Sequence, residues 1–264
     1  MKKILITLLG LFSTTIVYSL NSQVQAIAEQ EMIARGKEGF MNRCSGCHGE
    51  KADGQGPGSI MLNPKPRNLL EGSFKFRTTP SGNLPTVSDL LRTINQGVPG
   101  TSMPPFQEVS DSEKMAIIAF IRSLRPEFKE AKPEKLAIAI AEPPQAIFSS
   151  KAALIAAAKK GKVHYTSACL SCHGDTGVGN GPSAETLVDS YDQPIRPANL
   201  KKPYIKSGKT AKDVFKAITT GLDGSPMPAF QDIFDETKRW ELVAYVFYLR
   251  GQQSGIYTEK DTLQ

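Results

Sequence analysis

Apolar residues return at steps of three and four along two separate stretches. Ile117, Phe120, Ile121 and Leu124 form the first, and Leu242, Tyr245, Val246 and Leu249 the second, the spacing that lines one face of an α-helix. Each stretch follows an aspartate, Asp111 or Asp235, placed where a helix N-cap is expected. Upstream, Gly36, Phe40 and Cys44 step by four along one helical face, and Gly161, Tyr165 and Cys169 repeat the pattern. Between these helices two further segments correspond. Asp89-Leu90-Leu91-Arg92-Thr93-Ile94-Asn95-Gln96-Gly97 matches Asp213-Val214-Phe215-Lys216-Ala217-Ile218-Thr219-Thr220-Gly221, and Ser102-Met103-Pro104-Pro105-Phe106 matches Pro226-Met227-Pro228-Ala229-Phe230. The pattern is that of a helical unit used twice, the signature of an internal repeat.

The 264 residues are enough for two domains of ordinary size. The start has a different character, with Lys2 and Lys3, an apolar run from Ile4 to Phe12, and small residues near Ala26. This is the layout of a secretory signal peptide. The run is short and interrupted by Thr and Ser for a membrane anchor. The predicted division is therefore a signal peptide over 1–26, a first unit over 27–125, a linker over 126–150 and a second unit over 151–264. Pro133, Pro143 and Pro144 break any long helix in the linker. There Leu136, Ile138 and Ile140 alternate with alanines, which suggests an extended segment lying against a domain surface rather than a floppy connection. The expected location is periplasmic or otherwise exported, with the protein at most peripheral to a membrane. A formal charge of +6 is too modest and too scattered for nucleic-acid binding, which is not expected.

The four cysteines carry the chemistry. In an exported chain they would ordinarily pair as two disulfides. Their positions argue otherwise, because Cys44-Ser45-Gly46-Cys47-His48 and Cys169-Leu170-Ser171-Cys172-His173 are both C-x-x-C-H. Two thiols on one turn with an imidazole beside them suit two thioether bonds to a haem and one bond to its iron. A thioredoxin-type redox pair does not require the histidines, and a four-cysteine zinc site would leave both of them unexplained. Two covalently bound haem c groups are expected.

The sixth iron ligand is Met or His in electron carriers. The second unit contains one methionine, Met227, whose repeat equivalent is Met103, so Met32, Met41, Met61 and Met115 are set aside. His48 and Met103 are separated by nearly the same length of chain as His173 and Met227, and each methionine precedes a proline that stiffens its loop. The expected metal ligands are His48 and Met103, and His173 and Met227. Pro57 and Pro182 lie in Gly-rich runs that bring a backbone carbonyl within reach of the histidine ring N–H, an ordinary turn being the alternative. Arg67 and Arg196 recur and are expected at haem propionates, solvated surface charges being the alternative. His164, opposite Gly39 in the repeat, is read as a surface residue.

On these motifs each unit resembles a class I cytochrome c domain, and the resemblance covers nearly all of the chain after the signal segment. It implies an all-α fold, two cytochrome c class I domains in tandem joined by a Pro-containing linker. In that family a small residue on the first helix meets an aromatic on the last, and Gly36 with Phe120 and Gly161 with Tyr245 are the matching positions. The function implied is electron transfer between redox protein partners, as a free carrier or as a subunit of a respiratory oxidoreductase, without enzyme activity of its own. A dihaem peroxidase is the alternative. It would need one iron that opens, and no catalytic constellation beside either motif suggests one.

Overall fold

The computed structural model describes residues 3–256 and 263, with side chains from residue 22 onward. The expected signal peptide thus lies mostly outside the described side chains. The elements are α1 (Lys3–Arg43), α2 (Ser45–His48), a 3-10 turn (Pro57–Met61), α3 (Val87–Gln96), α4 (Asp111–Ser123), α5 (Glu127–Ala131), α6 (Pro133–Leu136), α7 (Gln145–Phe148), α8 (Lys151–Ala168), α9 (Leu170–His173), a second 3-10 turn (Ala184–Thr186), α10 (Ala211–Thr220) and α11 (Glu236–Gln253). Among the described residues there is no strand, only two isolated bridges, Val188 with Pro194 and Ile205 with Gly208. No described helix is long and apolar enough to cross a membrane.

Each unit is built on a crossing of its first and last long helices. An added Cβ on Gly36 would lie 1.9 Å from the Ala116 carbonyl oxygen and 3.0 Å from Phe120 Cβ, and one on Gly161 would lie 2.0 Å from the Glu241 oxygen. Only hydrogen fits there, so the backbones approach as closely as two helices can. One turn along, Phe40 meets Phe120 at 5.3 Å between ring centroids and Tyr165 meets Tyr245 at 4.9 Å, in the tilted geometry that aromatic pairs favour. The last-helix apolar faces are buried as their period requires, Ile117 and Leu242 both to 2% exposure.

The matched middle helices start alike. Thr86 accepts from the Asp89 amide while Asp89 accepts from the Thr86 amide, and Thr210 with Asp213 repeats this capping box on α10. Asp235 caps α11, accepting from Lys238 N–H, but α4 is capped by Ser110, and Asp111 is its first helical residue. The hydroxyl one position earlier reaches the Glu113 amide, which leaves Asp111 to favour the helix dipole and pair with Lys114.

The 126–150 segment is partly helical. Ile138 N–H donates to Thr78 O at 2.8 Å and Ile140 packs on the core of the second unit, while Leu136 ends α6 exposed. Phe148 packs edge-on to Trp240 at 5.9 Å. Direct bonds also join the two units. Arg77 is fully buried and donates to Thr220 O at 2.9 Å and to Asp223 Oδ1 at 2.7 Å. Asp223 also accepts from Ser81 Oγ and Gly82 N–H, and Arg92 pairs with Asp213 at 2.6 Å.

Candidate haem sites

Both C-x-x-C-H motifs occupy a short turn in the same setting. The first cysteine begins a single helical turn, α2 or α9, with the second cysteine and the histidine inside it. The amides of the following Gly-rich run donate back to the motif. Gly54 and Gly56 bond the His48 and Cys47 carbonyls, and Gly179 and Gly181 bond those of His173 and Cys172.

That arrangement spends the Gly-rich run on the motif backbone, and the histidine rings bond elsewhere. His48 Nδ1 lies 3.0 Å from the Arg67 carbonyl and His173 Nδ1 lies 3.0 Å from the Ala198 carbonyl. The expectation that the runs holding Pro57 and Pro182 supply these carbonyls is thus corrected; both prolines are exposed, and Pro57 opens the first 3-10 turn. A carbonyl can only accept, so Nδ1 carries the proton and Nε2 keeps its lone pair for a metal. Burial lowers the pKa of both histidines, which favours the neutral, ligating form. Burial also pushes the Cys44 and Cys169 thiols up, to about 11 and about 12, and all four cysteines are free.

The carbonyls reveal the true register between the units. Pro66-Arg67-Asn68-Leu69 corresponds to Pro197-Ala198-Asn199-Leu200. Leu69 N–H bonds Ala52 O and Leu200 N–H bonds Gly177 O, while Asn68 and Asn199 each cap the amide two residues on. Arg196 is therefore not the counterpart of Arg67. It lines the second cavity but pairs with Glu185 at 2.7 Å, both side chains 69% exposed. Arg67 lines the first cavity, and its Nη1 is buried with no hydrogen-bond partner in the protein.

The methionine loops come close by a shared device. Gly97 and Gly221 end α3 and α10 at φ of 62° and 69°, a conformation that glycine adopts without strain. A Cβ there would collide with the Met103–Pro104 or the Pro228–Ala229 backbone at 2.5 to 2.6 Å. Two bonds then seat each loop. Val98 N–H donates to Met103 O and Phe106 N–H to Ile94 O, and Leu222 to Met227 and Phe230 to Ile218 repeat them.

These elements enclose two cavities, of about 510 Å³ and 210 Å³. Cys44, Cys47, His48 and Met103 line the first; Cys169, Cys172, His173 and Met227 line the second. Apolar side chains such as Leu90, Ile94 and Ile117, or Val214, Ile218 and Leu242, make up much of the remaining walls. The donor set fits a haem c in each. Two thiols suit the vinyl groups, a tautomerically fixed imidazole and a thioether suit the iron, and the orphaned Arg67 nitrogen suits an acidic edge. Among the described residues no three His, Cys, Asp or Glu side chains are grouped to hold a bare metal ion.

His164 departs from expectation. It is half-buried, with Nε2 3.0 Å from Glu241 Oε2 and its ring 5.4 Å from that of Phe234, because the close crossing at Gly161 brings Glu241 beside it.

A helical unit with a C-x-x-C-H turn, a carbonyl-anchored histidine and a methionine loop across an apolar cavity defines a c-type cytochrome domain. Residues 33–125 match the cytochrome c family, and residues 156–246 match the family described as cytochrome c oxidase, cbb3-type, subunit III. A solved chain from the Kuenenia stuttgartiensis reducing HAO-like protein complex is 36% identical, with a TM-score of 0.73 over 81% of this chain and 95% of its own. No curated protein matches. The chain belongs to the tandem class I cytochromes c, an all-α electron-transfer family with one covalent haem c in each of two domains.

Proposed function

We propose that this protein is an exported dihaem carrier whose two irons are both closed by protein ligands, His48 with Met103 and His173 with Met227. The observation that supports it is the repetition itself: in both cavities an anchored histidine and a proline-flanked methionine come from corresponding elements. Each bound haem supplies a one-electron couple, and the chain sets ligation, burial and access. Residues 1–26 are removed on export, 27–125 and 151–264 are the two haem domains, and 126–150 joins them. Its donor and acceptor are redox proteins. Service as a subunit of a larger respiratory oxidoreductase draws support from the similar chain, which comes from a complex.

Mass spectrometry of the exported protein is expected to show two haem additions on a chain shorter by about 26 residues, the length of the signal pattern. One haem, or none, would refute the assignment. With both haems ferrous, or with only one reduced, carbon monoxide should bind neither readily at neutral pH, and hydrogen peroxide should not be turned over. Rapid carbon monoxide binding with peroxide consumption in the half-reduced form would establish the peroxidase instead.

Ligation is tested by Met103→Ala and Met227→Ala. Each should remove its share of the weak red-end absorbance band that reports iron–sulfur bonding and lower the potential of its own haem, because thioether ligation raises it. A variant that keeps both band and potential would show that its methionine is only a wall of the cavity.

A further inference from the structure

Among the described residues, three line both cavities. Lys75 and Phe76 come from the loop before α3 in the first unit, and Lys206 comes from the loop before α10 in the second. Each unit therefore contributes to the wall of the other's cavity. The placement is held from both sides. Phe74 packs against the first core and edge-on to Phe128 at 6.0 Å, and Arg77, two residues after Lys75, is buried against Thr220 and Asp223 of the second unit. Lys206 sits in a tight turn closed by Ile205 N–H to Gly208 O at 3.0 Å and Gly208 N–H to Ile205 O at 2.9 Å, and Arg92 of the first unit donates to the neighbouring Ser207 carbonyl.

Arg67 stands at the same junction. Its guanidinium lies 5.4 Å from the centroid of the Tyr191 ring, across the boundary between the units, and its buried Nη1 has no partner. Among the described residues none of Lys75, Lys206 and Arg67 makes an ion pair, although all three line the first cavity. Burial, then the nearby Arg67 and Lys206 charges, draw the Lys75 ammonium down to about 8, with Asp189 opposing them weakly. Three cations gathered in a partly desolvated junction destabilise one another unless an anion joins them. The expected anions are on the ligands themselves, because each haem carries two propionates.

We propose that Lys75 and Lys206, with Phe76 beside them, form one cationic partition that pairs with propionates of both haems and so couples their potentials. The partition rests on the two-haem reading above, and on the exchange of wall residues between the units. A positive charge held beside an iron favours its reduced, less positive state, and a charge shared by two haems acts on both.

The test is a potentiometric titration of the holoprotein followed by visible spectra, in which two midpoints are read. Lys75→Met should lower both midpoints, and Lys75→Arg, which keeps the charge, should restore both. Lys206→Met changes an exposed side chain of the other unit, where folding is little at risk, and should also lower both. Lys37→Met, exposed on α1, should move neither. A two-haem protein in which Lys75→Met or Lys206→Met moves one midpoint or none would overturn the partition while leaving the carrier reading intact. A protein that does not hold two haems would overturn both.

Discussion

Arg77→Met is expected to lower stability by about 3 kcal/mol, within the range seen when one partner of a buried ion pair is removed. In the folded protein the guanidinium is 0% exposed and closes the C-terminal end of α10. Nη2 donates to the Thr220 carbonyl at 2.9 Å and to Asp223 at 2.7 Å, and Nε to Pro80 O at 3.3 Å. The last carbonyls of a helix have no partner within it, so a cation there satisfies hydrogen bonds and the dipole together. Methionine is similar in length and refills much of the space, which confines the loss to polar terms. Asp223 stays bonded to Ser81 and Gly82, and that keeps the effect away from the top of the range. Thermal unfolding followed by circular dichroism should show a Tm lower by roughly 6–12 °C, at a few degrees per kcal/mol for a chain of this size. Arg77→Lys should fall between, since an ammonium keeps the charge and loses the fork. A loss below about 1 kcal/mol, the level of an exposed pair, would show that the junction between the units does not depend on this residue. The haem spectrum should be retained in either variant, because the thioether bonds do not depend on Arg77.

Much of this fold was legible because the sequence states it twice. Gly36 and Gly161 each stand four residues before an aromatic and eight before the first cysteine. The crossing itself was implied by the resemblance to class I cytochrome c domains, and the repetition singled out Met103 and Met227 among the methionines. Local signals were less dependable at single positions. Asp111 and Ser110 are both good N-caps, and propensity alone does not choose between neighbours; the geometry of the entering chain chose the serine. Arg196 is not the counterpart of Arg67 although both precede the same Asn-Leu pair, and that pair holds the register, since its backbone amides and side chains make the same bonds in both units. The histidine carbonyls were placed one loop too early, in the Gly-rich runs, whose amides are bonded instead to the motif itself. Lys75, Phe76, Arg77 and Lys206 gave no signal at all. Each owes its place to contacts with the other unit, and neither periodicity nor the repeat describes how two copies meet.

Gly161→Ala is expected to destabilise the second unit by about 2 kcal/mol or more, although alanine is the better helix former. The opposing terms can be compared. Replacing an interior helical glycine with alanine gains about 1 kcal/mol in backbone entropy and propensity. Against this, the new methyl would sit 2.0 Å from the Glu241 oxygen and 2.5 Å from its carbonyl carbon, atoms of a helix backbone that cannot rotate away. Helices α8 and α11 would have to separate by more than an ångström, loosening the contacts set by the crossing, Tyr165 on Tyr245 and His164 on Glu241. Overpacking of a well-filled core typically costs 1–3 kcal/mol, and a backbone clash belongs at or above the upper end. Gly39→Ala is the control. It is also a buried helical glycine, but its Cβ would meet the Ile117 side chain at 3.0 Å, and a side chain can yield by a rotamer adjustment. Propensity gain and clash then nearly cancel, and Gly39→Ala should lie within about 0.5 kcal/mol of the parent, as substitutions without a buried conflict do. Denaturant unfolding of the two variants should separate them clearly. Equal midpoints would mean that the helices cross with room to spare and that the close approach is not what fixes the first and last helices of each unit.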